Sequence, residues 1–155
     1  MKIKTIEPIA LSLPMRKPVI MAGEEIRRAD NVLVRIAAGS GLVGWGEAAS
    51  APVMTGETLE SIVSAVHYLE PVLRGREAAD IAGALSAMDG RMYGNHGAKA
   101  AIEIALHDLA GQAAGKPVHH LTVEHVKGLV PVQPGGHLGD LPQPENSGEE
   151  QDSGT

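Results

Sequence analysis

Four groups of residues have types and spacings that could do chemistry. The densest is His119, His120, Glu124 and His125, imidazole and carboxylate donors of the kind that hold transition metals. The spacing does not match H-E-x-x-H, and the inverted H-x-x-E-H would need histidine where Leu121 stands. Adventitious zinc or nickel binding is expected there. A stand-alone interaction or metal-binding module built on His119–His125 is the alternative reading of the chain. Glu103 and Asp108 interrupt an apolar stretch. Paired carboxylates can do acid–base work, but these two point in different directions on a helix, so capping or ion pairing is expected. His67 and His107 have no partner that the sequence names. Gly39-Ser-Gly41-Leu-Val-Gly44 fits G-x-G-x-x-G. That motif holds a pyrophosphate only where it opens a helix; here it opens a strand containing Trp45, so a hairpin turn is predicted. No serine lies in G-x-S-x-G, and no phosphate loop is present. The sequence has no cysteine, which excludes thiol nucleophiles, thiolate metal sites and disulfides.

These groups must be positioned by a small aliphatic core. The chain of 155 residues is 43% apolar, with no Phe, Trp45 as its single tryptophan, and Tyr68 and Tyr93. No apolar run reaches the roughly 18 residues of a membrane span, and Met1–Lys4 is not followed by an unbroken apolar h-region. The expectation is a soluble, cytoplasmic chain with no membrane partner. The net charge of −6 argues against a nucleic-acid surface. The charge is uneven: after Leu121, Glu124, Asp140, Glu145, Glu149, Glu150 and Asp152 face only Lys127.

The longest periodic stretch is Ala98–Gly115. Ala98, Ala101, Ile102, Ala105 and Leu109 form one apolar stripe, and Ala100, Ile104 and Ala113 widen it. This predicts a buried helix that approaches its neighbours closely, capped by Gly115 in a left-handed conformation and stopped by Pro117. Upstream, Lys2–Leu13 alternates as an edge strand, with Ile9, Leu11 and Leu13 on one face and Pro8 interrupting it. Pro14–Asp30 reads as a long loop with exposed Met15 and Met21, longer than most connections. Asn31–Ala38 is the clearest strand, with Val32, Val34 and Ile36 on one face. Gly39-Ser40-Gly41 turns into a partner strand, Leu42–Ala48. Gly44 and Gly46 share a face of it, so something must press close there.

Ala49–Gly56 is a second irregular stretch, with Thr55 as the expected N-cap of the next helix and Glu57 in its first turn. Leu59, Ile62, Val63, Val66, Leu69 and Leu73 mark that helix, which Pro71 should kink or end. Ala78, Ile81, Leu85 and Met88 mark a shorter one, closed by Asp89-Gly90. The fold class is α+β: a three-stranded antiparallel meander followed by three helices. Val123–Val132 could form one short strand. Four prolines and six glycines follow Leu121, so residues 122–155 read as a Pro/Gly/acid-rich, largely disordered tail on a domain of residues 1–121.

The stretch N-H-G-A-K-A-A-I-E-I-A-L-H-D-L-A-G-Q-A-A-G-K-P-V resembles the third helix of the N-terminal capping domain in the mandelate racemase/muconate lactonizing branch of the enolase superfamily. V-L-V-R-I followed by G-L-V-G-W-G-E-A, then G-E-T and Y-L-E-P-V-L-R-G-R, are similar to the family's second and third strands and first long helix. The resemblance covers residues 1–121 and is strongest to muconate cycloisomerases and dipeptide epimerases. It implies a Mg²⁺-dependent isomerase or lyase: a base on a following barrel removes the proton α to a carboxylate, and the ion stabilises the enediolate. It also implies homo-oligomers. Two capping-domain loops close over the barrel and set specificity. They correspond to Pro14–Asp30 and Ala49–Gly56, which nominates Arg16 and Lys17 for a substrate carboxylate, Met21 and Met54 for its side chain, and Thr55 beside them.

The barrel itself needs about 250 residues, whereas 37 follow Val118. Lys2-Ile3-Lys4 copies the family's K-x-K base only by coincidence, and the tail acids do not form a metal triad. The family's leucine–glycine–glycine turn after K-P-V is replaced by T-V-E-H-V-K-G. A truncated or frame-shifted coding sequence accounts for this. The chain is therefore expected to lack its partner barrel, to bind no cofactor specifically, to be inactive alone, and to self-associate through an uncovered apolar patch.

Overall fold

A computed structural model of the chain describes residues 1–123. The tail expectations for 124–155, together with Glu124 and His125, lie outside these residues. Three strands form one antiparallel sheet in the order β1-β2-β3: β1 (Ile3–Met21), β2 (Glu24–Ala38) and β3 (Val43–Ala49). Helices follow as α1 (Pro52–Thr55), α2 (Leu59–Leu73), α3 (Ile81–Arg91), α4 (His96–Ala114) and α5 (Val118–Val123). The α+β order predicted from sequence is present. The short α1 and α5 are additions to the three helices foreseen.

The sheet has one covered face. Val32, Val34 and Ile36 alternate along β2 and are completely buried, as period-two patterning demands of a half-covered strand. Their cross-strand neighbours on that face are Ile36↔Ile6, Val34↔Pro8 and Val32↔Ala10 on β1, and Gly44, Gly46 and Ala48 on β3. Above them α2 buries Ile62, Ala65, Val66, Leu69 and Leu73, α3 adds Ala84 and Met88, and α4 adds Ala98, Ala101, Ile102, Ala105, Leu106 and Leu109. The other face carries Ile9, Leu13 and Trp45, at 41%, 52% and 45% exposure. Ile9, Leu11 and Leu13 thus share a face as predicted, but it is the open one. A register shift between Ile3 and Thr5 lets Ile3 and Ile6 both turn inward, which a strict alternation would forbid.

Three local expectations are corrected. Pro14–Asp30 is not a loop. β1 and β2 continue as a ribbon through Pro14↔Arg28 and Val19↔Ile26 to Met21↔Glu24. Ala22 (φ 51°) and Gly23 (φ 85°) make the turn, two left-handed residues as a tight hairpin requires. The prolines misled because β1 is an edge strand, where a missing amide is tolerated, and a bulge between Pro14 and Val19 absorbs the extra residues. Thr55 does not cap α2; it ends α1. Thr58 caps α2, accepting from the Ser61 amide while the Ser61 hydroxyl accepts from the Thr58 amide, a reciprocal capping box. Pro71 is not itself the end of α2; it sits in the last turn, and the helix runs on to Leu73.

α4 lies against β3 and settles what the paired glycines are for. A Cβ on Gly46 would overlap the Ala101 carbonyl and sit 2.9 Å from the Ala105 nitrogen; one on Gly44 would fall 2.6 Å from Leu109 Cγ. Small residues on both sides bring the backbones together. Asp108 then accepts a 2.9 Å hydrogen bond from the Trp45 amide, and Gln112 Nε2 donates to the Val43 carbonyl at 2.7 Å, so side chains of α4 satisfy edge groups that β3 would otherwise expose. At the C-terminus Gly115 (φ 62°) provides the predicted left-handed cap. Ala100, Ile104 and Ala113 do not join the buried stripe; Ile104 is 49% exposed. Elsewhere, the Met1 amine and Lys2 converge on Glu77, and the amine's hydrogen bond holds its carboxyl below the ordinary carboxylate range.

Gly46→Ala is expected to lower stability by about 2–4 kcal/mol, because backbone atoms must move to admit the methyl group. Gly90→Ala, in α3 with open space around it, should instead raise stability by about 0.5–1 kcal/mol. Denaturant melts of the two variants check both signs.

Candidate functional site

The residues nominated for binding lie on two projections that leave one end of the sheet. β3 pairs with β2 only as far as Asn31↔Ala49. There the Ser50 amide donates to the Asp30 carbonyl at 2.8 Å, and beyond that bond the two segments separate. One is the β1–β2 ribbon, which runs on alone to the Ala22-Gly23 turn. The other is the segment from Ser50 to Thr58 that contains α1.

The ribbon carries Arg16 and Lys17 inside its bulge, where both are exposed and neither makes a hydrogen bond or ion pair with another described residue. Its end presents Val19, Ile20 and Met21 at 41%, 78% and 41% exposure. Below them, Arg28 donates to the Ser12 hydroxyl (2.7 Å) and carbonyl (2.8 Å), and the same hydroxyl donates to Asp30. That network braces the ribbon where the helices no longer support it. Two free cations beside an apolar tip can meet a small acid: charge for its carboxylate, adaptable aliphatic and thioether surface for the remainder.

The α1 segment is held only at its base. Ala51 N and Ser50 Oγ both donate to the Glu57 carbonyl, at 3.1 and 3.4 Å. Thr55 Oγ1 donates to the Ala51 carbonyl at 3.2 Å and accepts from the Glu57 amide at 3.3 Å. Gly56 (φ 77°) reverses the chain. None of the α1 residues is buried, and Val53 and Met54 are 52% and 61% exposed. The Glu57 carboxylate then reaches the N-terminus of α4, accepting from the Gly97 amide at 3.1 Å with both oxygens. α4 needs this donor-side partner, because Asn95 sits at φ 52° and makes no side-chain cap. A carboxylate at a helix N-terminus is favoured by both the unpaired amides and the helix dipole.

The remaining nominated groups are structural or lie elsewhere. Glu103 lies one helical turn from His107, with Oε1 3.8 Å from Nε2, so the two are neighbours on one face of α4. Asp108 serves β3, as described above. His119 and His120 stack edge-to-face, 4.4 Å apart; the other two members of the cluster fall outside the described residues. Among the described residues no three His, Asp or Glu side chains converge as a metal-binding group. Sequence reasoning missed two anchors. One is Glu57, whose target lies 40 residues away. The other is Lys99, 8% exposed, which donates to Asp89 Oδ1 (2.8 Å) and the Met92 carbonyl (2.6 Å). Nothing in the local pattern signals either; a lysine in an apolar stripe was the single clue to the second.

Removing the Glu57 carboxylate should free the α1 segment without disturbing the sheet. In Glu57→Ala, amide hydrogen exchange at Met54 and Thr55 is expected to accelerate about tenfold or more, with about 1–2 kcal/mol of stability lost. Amides of Val32–Ile36 should keep their protection relative to global unfolding, and Glu57→Gln, which retains one acceptor, should lie between.

Comparison with known proteins agrees with this geometry. The family description "Mandelate racemase / muconate lactonizing enzyme, N-terminal domain" matches residues 5–122. The L-Ala-D/L-Glu epimerase of Bacillus subtilis is 40% identical over 122 residues, covering 78% of this chain and 33% of the epimerase. A chloromuconate cycloisomerase of Cupriavidus pinatubonensis is 36% identical over 135 residues, covering 85% and 36%. Among solved structures, a dipeptide epimerase from Cytophaga hutchinsonii, complexed with Mg and the dipeptide D-Ala-L-Val, superposes with a TM-score of 0.76 at 33% identity, over 78% of this chain and 33% of that one. The chain spans about a third of the length of these relatives. It belongs to the mandelate racemase/muconate lactonizing enzyme family, and what it carries is that family's N-terminal domain.

Proposed function

We propose that residues 1–121 are the capping, specificity-setting domain of a Mg²⁺-dependent isomerase or lyase that removes the proton α to a carboxylate. The observation that carries this is the common origin of the two projections: the ribbon tip and α1 leave the sheet at one bond, Ser50 N to Asp30 O, and both present exposed side chains away from the core. In this reading the projections close over the mouth of a partner barrel domain. Arg16 or Lys17 meets the substrate carboxylate, and Met21 and Met54 contact its side chain, with Thr55 holding the α1 turn beside them. The cap thus orients a small carboxylate substrate and excludes water.

The proton-abstracting base and the Mg²⁺ ligands are assigned to the barrel. Among the described residues of this chain no three His, Asp or Glu side chains converge. The reading also makes the 155-residue chain inactive by itself. No observation among the described residues favours the histidine-cluster module over it.

A chimera tests the assignment: residues 1–121 replace the N-terminal domain of the Bacillus subtilis L-Ala-D/L-Glu epimerase. With Mg²⁺ in D₂O, it is expected to exchange the substrate α-proton. Arg16→Ala/Lys17→Ala should raise KM about tenfold or more for loss of a charge-assisted contact. The isolated chain should show no exchange. A folded, Mg²⁺-binding chimera without exchange, or clear turnover by the isolated chain, would overturn the reading.

A further inference from the structure

The chain has no cysteine and six methionines. Thioethers are therefore the groups through which a mild two-electron oxidant can change it. All six lie among the described residues, and the fold sorts them. Met88 on α3 is completely buried in the core. Met1 and Met92 are half-buried against that core, and Met15 is half-buried at the ribbon bulge. Met21 and Met54 alone are exposed, at 41% and 61%.

Both exposed thioethers stand on the projections. Met21 ends β1 and pairs with Glu24 across the Ala22-Gly23 turn. Met54 lies in α1, which buries none of its residues; its amide donates to the Ala51 carbonyl at 2.9 Å. An oxidant reaches these two sulfurs in the folded protein, whereas the Met88 sulfur is reached only when the core opens. The consequence differs as well. A sulfoxide replaces a flexible apolar group with a polar acceptor, and pressing that acceptor against apolar surface without a donor is costly. In the core the added oxygen would disrupt packing. At the tips it leaves the core untouched and changes only what the tips can bind.

We propose that Met21 and Met54 form an oxidation site, converted by hydrogen peroxide or an organic hydroperoxide to sulfoxides, which turns the apolar tips of the two projections polar without unfolding the domain. The sulfur lone pair attacks a peroxide oxygen. The S–O bond forms as the O–O bond breaks, sulfur gives up two electrons, and the other oxygen takes the proton and leaves as water or an alcohol. Methionine sulfoxide reductases reverse the change. The modification stands on exposure; its effect on recognition rests on the capping role proposed above.

Timed peroxide treatment of the full chain, quenched with free methionine and read by peptide mass spectrometry, tests the assignment. Trypsin places Met21, Met54 and Met88 on separate peptides, 17–27, 36–74 and 77–91, and fragmentation locates the added oxygen. Met21 and Met54 should gain it about tenfold faster than Met88 or more, with circular dichroism and the denaturant midpoint unchanged. Met21→Leu/Met54→Leu should lose the fast uptake at both positions. In the epimerase chimera, peroxide should raise KM about fivefold or more, and methionine sulfoxide reductase should reverse the rise. The chimera carrying Met21→Leu/Met54→Leu should be indifferent to peroxide, whatever its starting KM. Met88 oxidising as fast as Met21 and Met54, or a melt that shifts as those two are oxidised, would overturn the site. A chimera that exchanges the α-proton but whose KM ignores oxidation would overturn the effect on recognition. A chimera without exchange before any treatment would instead fail the capping role, and the mass spectra would still decide the oxidation site.

Discussion

Everything in this domain depends on how closely α4 can approach β3. A helix normally packs on a sheet across a layer of interdigitating side chains. Here that layer is stripped to almost nothing, because Gly44 and Gly46 face Ala101 and Ala105. The closeness lets the short polar side chains of Asp108 and Gln112 reach the backbone of the edge strand. With β3 capped in this way, the sheet can end after three strands without an exposed edge on that side. α4 in turn receives a fixed N-terminus. Its first amides have no local cap, so a carboxylate from a distant loop fills the position, and that loop is thereby fixed to the helix. Packing, edge protection and loop placement are three consequences of one contact between small residues.

The division between what the sequence revealed and what it hid follows from the range of the forces involved. The α+β order, the buried face of β2, the stripe on α4 and the glycine signal on β3 were legible because each is a periodic demand for burial, written locally. The ribbon was not legible. Pro14, Pro18 and Gly23 look like loop punctuation, yet Pro14 lies on an edge strand, where proline is tolerated, Pro18 lies in the bulge, and Gly23 is in the turn of a hairpin. Thr55 looked like a helix cap because Glu57 follows it, whereas the side chain of Glu57 belongs to α4. Long-range partners leave no period in the sequence. The nominated residues Arg16, Lys17, Met21 and Met54 lie on exposed segments at one end of the sheet, and Thr55 ends α1 whereas Thr58 caps α2. The functional reading of the site came from resemblance, and the family membership supports that resemblance.

The domain is built in two textures. The helix-covered half is aliphatic and tightly buried, with twelve large side chains below 2% exposure. The ribbon and α1 are outside it, braced by a few hydrogen bonds at their bases and free at their tips. Tip residues can therefore change without entering the core, while the base contacts keep the tips in place.

If α4 on β3 is the organising contact, the two elements must open together. Native-state hydrogen exchange resolved by residue measures this directly, following the amides of β3 and the central turns of α4 under increasing denaturant. The expected result is one shared opening free energy for both, equal to the largest in the molecule, with the ribbon tip and α1 opening far below it. Exchange of α4 through a separate, lower-energy opening while β2 and β3 stay protected would contradict the account.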